Sequence, residues 1–182
     1  MKSRAWAELL PKVQQRLLPL KPIVERLFAK NLVIDVLEGD ISDVSERGYP
    51  WGGPAVYVPW MRTLAMTDEI VLGSFEWYGT YRGDVHELGH AVWYLLLGTL
   101  ERWVTLNSMY AKAKREGRLL DHYSGLKIEE WFAQGFEAFW TKDRDEHGIN
   151  WCRDDLRRVD PDLLQYMADL ARRHGADPAD LM

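Results

Sequence analysis

Residues 86–90 read His86-Glu87-Leu88-Gly89-His90, and this string constrains the chain more than any other segment. Two histidines at i and i+4 fall on one face of an α-helix, so the segment is expected to be helical with both imidazoles converging. On that face the rings can share one Zn²⁺, and the intervening Glu87 can reach a water on the metal as a general base. Val85, Leu88, Ala91, Val92 and Leu95 give the same helix an apolar side, as a buried site-bearing helix requires. The motif also takes two of only five histidines in the chain. The plain alternative is a helix whose two histidines face solvent or each other.

Two histidines and a water leave a tetrahedral zinc one protein ligand short. The metzincin extension would place a third histidine six residues beyond the second, but Leu96 stands there. His122, His147 and His174 are ligands by residue type only; their turn-like or terminal contexts read as surface positions. Carboxylates on a later helix remain. The segment Glu129-Glu130-Trp131-Phe132-Ala133-Gln134-Gly135-Phe136-Glu137-Ala138-Phe139-Trp140 puts Glu129, Phe132, Ala133, Phe136 and Trp140 on one side, and Glu130, Gln134 and Glu137 on another. Adjacent residues point about 100° apart on a helix, so one of Glu129 and Glu130 faces the metal, and periodicity does not choose. Both would also suit an ordinary acidic first turn.

Composition limits the classes of partner. The 182 residues are 47% hydrophobic and 28% charged, enough apolar side chain for one real core. A formal charge of −5 disfavours nucleic acid, because phosphate binding needs a surplus of Lys and Arg. The basic stretch Lys112–Arg115 is balanced by Glu116 and Asp121. The single cysteine, Cys152, excludes an internal disulfide and a cysteine-built zinc cluster, and reads as a buried or half-buried thiol. The first residues lack the apolar core of a signal peptide, and no run approaches the roughly 20 apolar residues of a membrane span. A cytoplasmic location is expected, or export by a route without a Sec signal, with no membrane partner.

Along the chain, residues 3–30 read as two helices or one broken by Pro19 and Pro22. Leu32–Leu37, Ala55–Val58 and Glu69–Leu72 read as strands, with turn-rich residues 39–54 between the first two and a loop at Pro59–Thr67. Helical periods follow over 82–97, 99–116, 126–140 and 161–173. The expected fold is α+β in a single domain, 1–182: an N-terminal helical segment (1–30), a sheet-bearing part (31–80), metal-site helices (81–140) and a C-terminal helical segment (141–182).

The string His86–Val92, then Tyr123, then Glu130-Trp131-Phe132-Ala133-x-x-Phe136 resembles the catalytic-domain family of anthrax lethal factor, among the gluzincins. That family carries HExxH, then a tyrosine seven residues ahead of a glutamate that opens an E-[FW]-F-A-x-x-F helix. The resemblance covers roughly residues 50–140. It implies a zincin-like fold with a small twisted sheet ahead of the active-site helix, and a zinc metalloendopeptidase. It selects His86, His90 and Glu130 as zinc ligands, with Glu87 and Tyr123 catalytic. Relatives commonly carry a second acid four residues after the ligand; Gln134 stands there, and as an amide it can still accept a ligand histidine's N–H.

The implied substrate is a protein or peptide, lying extended beside an edge strand. Ala55–Val58 and the segment around Ile70–Gly73 are both candidates for that edge. An alternative is a zinc-binding protein of the same fold that works by binding, as an inhibitor, immunity or regulatory module. Nine tryptophans are many for this length. Trp77, Trp93, Trp131 and Trp140 lie on or beside the metal-site segments, and most are expected to be packing that holds the ligand helices rigid and walls the site from water. Trp51, Trp60 and the aromatics of Phe75–Tyr81 could line a subsite or simply pack.

Overall fold

The computed structural model describes residues 1–37, 49, 55–67, 82–142 and 151–177. Prolines set the N-terminal helices. Pro11 opens α1 (Pro11–Leu17), Pro22 sits in the first turn of α2 (Lys21–Phe28), and Pro19 lies in the 3₁₀ turn Leu18–Leu20 between them. A first turn tolerates proline, because its missing N–H has no intrahelical partner to lose. Val13, Leu17, Leu20, Ile23, Val24 and Leu27 are all buried, so these helices belong to the main core.

Lys2–Ser3 (β1), Val33–Leu37 (β2), Ala55–Val58 (β3) and Thr63–Thr67 (β4) form one mixed sheet in the order β1-β2-β4-β3. The loop expected at Pro59–Thr67 is corrected: the turn is short, and residues 63–67 are an interior strand, buried along its whole length. β4 pairs parallel with β2 (Ile34 beside Leu64, Val36 beside Met66) and antiparallel with β3 (Val56 beside Ala65). Its Thr-Leu-Ala-Met-Thr composition has little β-branched character, and partners on both sides make it a strand. β3 is an edge among the described residues. The turn-forming Gly, Asp and Pro residues within 39–54, and the strand expected over Glu69–Leu72, lie outside the described residues.

Gly83–Leu95 (α3) carries the HExxH string. After it, Glu101–Leu106 is wound as a π-helix that runs into Asn107–Arg115 (α4), so the helix expected over 99–116 begins with wider turns. Those turns bury Leu106 and leave Trp103 and Val104 on the surface. Ile128–Trp140 (α5) and Pro161–Arg173 (α7) match the expected helices. Arg153–Val159 (α6) was not expected, although its Asp154-Asp155 start and Arg157-Arg158 end suit the helix dipole. α5 is the central helix: Trp131, Phe132, Phe136, Phe139 and Trp140 are buried, and it packs on α3, α6 and α7. Cys152 is buried. Among the described residues no helix is long and apolar enough to cross a membrane.

Candidate metal centre

A missing side chain lets α5 approach α3. A Cβ built on Gly89 would lie 3.0 Å from Ala133 Cα, 3.2 Å from Phe136 Cβ and 3.3 Å from the Ala133 carbonyl oxygen. A Cβ there would press on the α5 backbone, so glycine permits the close crossing, and Glu130 stands one helical turn before Ala133. Its Oε2 lies 3.2 Å from His86 Nε2 and 3.3 Å from His90 Nε2. Donors about 2.0–2.1 Å from a tetrahedral zinc stand about 3.3 Å from one another, so these separations fit a His86, His90 and Glu130 ligand set. Glu129 contacts neither ring and lines the open cleft instead. Among the described residues, the trio whose donor atoms all lie within 4.8 Å of one another is His86, Glu87 and His90, without Glu130. Glu87 Oε2, however, already accepts the Tyr57 backbone N–H at 2.7 Å, which tethers that carboxylate to β3.

His86 is buried with a carboxylate at each ring nitrogen: Glu130 at Nε2 and Glu137 Oε2 at Nδ1, 3.2 Å away. Burial alone would drive its pKa down; the hydrogen bonds to Glu130 and Glu137 overcome that and hold it at about 10. Burial likewise pushes Glu130 up, but the two histidines win and keep its carboxyl well below the usual range. Glu87 and Glu137 are both pushed up, first by burial. Without metal, a proton on His86 therefore offsets the negative charge of Glu130.

His86 thus stabilises the metal-free fold fully below its unfolded pKa of about 6.5, and that contribution is lost as pH rises through about 10. A zinc ion must displace the same proton. Calorimetry at pH 8 in two buffers of different ionisation heat is expected to show about two protons released per zinc, one from His86 and about 0.9 from a metal-bound water of pKa about 7. An ordinary histidine would contribute about 0.03 at that pH, so release of about one proton would contradict a His86 imidazolium shared between Glu130 and Glu137.

The supporting acid is not where the sequence placed it. Gln134 donates from Nε2 to Asp121 Oδ2 at 2.7 Å and leaves the histidines alone. Glu137, seven residues after Glu130 and on the same face, orients His86 instead. That i, i+7 spacing was the signal that could have found it. Beneath Glu137 lies Asp84, fully buried and bound by Arg16 of α1 through Nε at 2.6 Å and Nη2 at 3.0 Å. The N-terminal helices therefore neutralise the charge under the metal-bearing helix.

Tyr123 stands on the 3₁₀ turn Tyr123–Gly125, which Asp121 holds in place. Asp121 Oδ1 accepts the Ser124 N–H at 2.9 Å, and Oδ2 accepts Trp151 Nε1 at 3.1 Å besides Gln134. The half-exposed Tyr123 ring lies 6.1 Å from that of His86. Its hydroxyl pKa is pushed up, first by burial, then by the charge of Glu130 and a hydrogen bond to it.

Glu87, His90, Tyr123 and Glu130 face a cleft of about 420 Å³ that is also lined by Ala55–Tyr57 of β3. Of the two edge candidates, β3 borders the site, and Ile70–Gly73 lies outside the described residues, as do Trp51, Trp77 and Phe75–Tyr81. The described tryptophans of the metal-site segments are packing on the ligand helices themselves. Trp93 packs on Phe132, Trp131 on Tyr110, and Trp140 on Phe136 and Phe139, all within the core. The rings that line the cleft are Tyr57, Tyr94 and Tyr123. Comparison of the chain with protein-family models, curated proteins and solved structures found no match.

Proposed function

We propose that the chain is a zinc metallopeptidase of gluzincin type with a zincin-like fold, which hydrolyses a peptide bond in a protein or peptide. The observation that carries this reading is the single Glu130 oxygen within 3.2 and 3.3 Å of both HExxH histidines. His86, His90 and Glu130 would hold the zinc. Bound there, zinc supplies Lewis acidity, bringing the pKa of a bound water from 15.7 to about 7.

The remaining work falls to the chain's own groups. Tyr57 N–H anchors Glu87 Oε2, which leaves Oε1 to take the proton of the attacking water. Burial raises the Glu87 pKa toward the working pH, which suits a group that both accepts and returns a proton. The Tyr123 hydroxyl, at the cleft beside Glu130, can donate to the oxyanion that develops on the substrate carbonyl. Because Tyr57 N–H points away from β4, alternation turns the N–H and C=O of Ala55 and the C=O of Tyr57 outward too. Those groups are available to an extended substrate strand.

The test is a proteome-derived peptide library incubated with the chain and read by mass spectrometry. New termini are expected that disappear on chelation, return with zinc and are absent with His86→Ala. A zinc-loaded chain that yields no new termini would remove the peptidase reading.

A further inference from the structure

Beside the cleft opens a second cavity of about 170 Å³, and the two share Tyr94 and Glu129 as walls. We propose that this side pocket binds one large neutral aromatic side chain of the polypeptide substrate, and so sets specificity at one position near the cleaved bond. The inference rests on the peptidase reading above.

Size is the first argument. Sites for free small molecules commonly occupy about 300–1,000 Å³, so a cavity this small beside a cleft fits a single side chain of a longer ligand. Its lining is the second. Trp93 and Tyr94 come from the end of α3, Trp103 from the π-helical stretch and Ile128 from the first turn of α5. Trp103 is 69% exposed and Tyr94 41% exposed. An aromatic ring laid between them would remove apolar surface from water at about 25 cal/mol per Å².

Charge is the third argument. The pocket contains both Arg102 and Glu129, so a cationic side chain meets one like charge and an anionic side chain meets the other. A neutral ring meets neither penalty. Arg102 Nη1 donates to the Trp93 carbonyl at 3.3 Å, while its buried Nε–H has no acceptor among the described residues. A phenolic hydroxyl can accept from such a guanidinium and donate to Glu129, which places tyrosine within the preferred class.

Position is the fourth. The Tyr94 ring stacks on Tyr57 of β3, with centroids 6.0 Å apart and planes 27° apart. The partition between the two cavities is therefore braced against the strand beside which the substrate would run.

The experiment uses the zinc-loaded chain and a randomised peptide library, with Asn107→Trp and Trp103→Ala as variants. Both residues are exposed and neither touches the metal site. Asn107→Trp fills the pocket, and Trp103→Ala removes one wall. Wild type is expected to favour Phe, Tyr or Trp over Ala about tenfold in kcat/KM at one fixed position from the cleaved bond. That ratio should fall to near one in Asn107→Trp and several-fold in Trp103→Ala. Cleavage without aromatic preference, or a preference that survives both variants, overturns the subsite and leaves the peptidase reading standing. No cleavage at all with zinc bound removes that reading, and this inference with it.

Discussion

Replacing Glu87 by glutamine is expected to lower kcat by about 10³-fold, within the roughly 10²–10⁴-fold that general-base catalysis contributes, while the chain keeps one equivalent of zinc. The change is isosteric. The glutamine carbonyl can still accept the Tyr57 N–H that Glu87 accepts at 2.7 Å, so the α3–β3 contact survives. What disappears is an oxygen able to take a proton. Two measurements, kcat on a cleaved peptide and zinc content by mass spectrometry, separate the roles open to this carboxylate. Glu87 lies within 4.8 Å of the His86 and His90 donor atoms, so by proximity alone it could be a ligand. Loss of zinc together with activity would make it one and displace Glu130 from that role. Full activity in the variant would end the assignment of Glu87 as base. A wild-type chain that binds zinc but cleaves nothing, and a Glu87→Gln chain no different from it, would favour a binding module over an enzyme.

The parts of the fold legible in the sequence are those whose cause is local. Helices α3, α5 and α7 each announce an apolar face over thirteen residues, and HExxH carries its own geometry. β4 was misread because nothing in Thr-Leu-Ala-Met-Thr distinguishes it from a loop; its strand character comes from β2 on one side and β3 on the other. The choice between Glu129 and Glu130 was not available from periodicity. It depends on how α5 is rotated against α3: with Ala133 and Phe136 set against Gly89, Glu130, one turn before Ala133, is turned toward the histidines. Glu137 was visible as an acid on the ligand face, but its role depends on which nitrogen of His86 is left over once Glu130 has taken the other. The side pocket was invisible for a similar reason. Its walls come from residues 93–94, 102–107 and 128–129, three segments with no shared pattern.

Gly89 offers the sharpest test of how the fold sets the site. Gly89→Val is expected to destabilise the chain and to weaken zinc binding at least tenfold, a loss comparable to that seen when support of a metal ligand is removed. The atoms a Cβ would meet at 3.0 and 3.3 Å are the backbone Cα and carbonyl oxygen of Ala133, which cannot rotate away. The backbone of α5 around Ala133 has to give way, more for valine's branched side chain than for a Cβ alone, and Glu130 one turn earlier is expected to shift with it. Overpacking of this kind costs about 1–3 kcal/mol, more than the helix propensity gained by replacing glycine. Gly135→Ala provides the control. Its Cβ would fall 2.4 Å from Leu163 Cδ2, a closer clash, but with the tip of a flexible side chain on α7 rather than with backbone. Leu163 can change rotamer, so Gly135→Ala is expected to lower thermal stability and leave zinc affinity near wild type. Competition with a chelator gives the affinity, and melting in excess chelator gives the stability of the metal-free fold. If both variants lost stability equally and neither lost zinc affinity, the close crossing of α3 and α5 would be ordinary packing, and the Glu130 position would have to be set from elsewhere, with the Asp121 network around the Tyr123 turn as the next candidate.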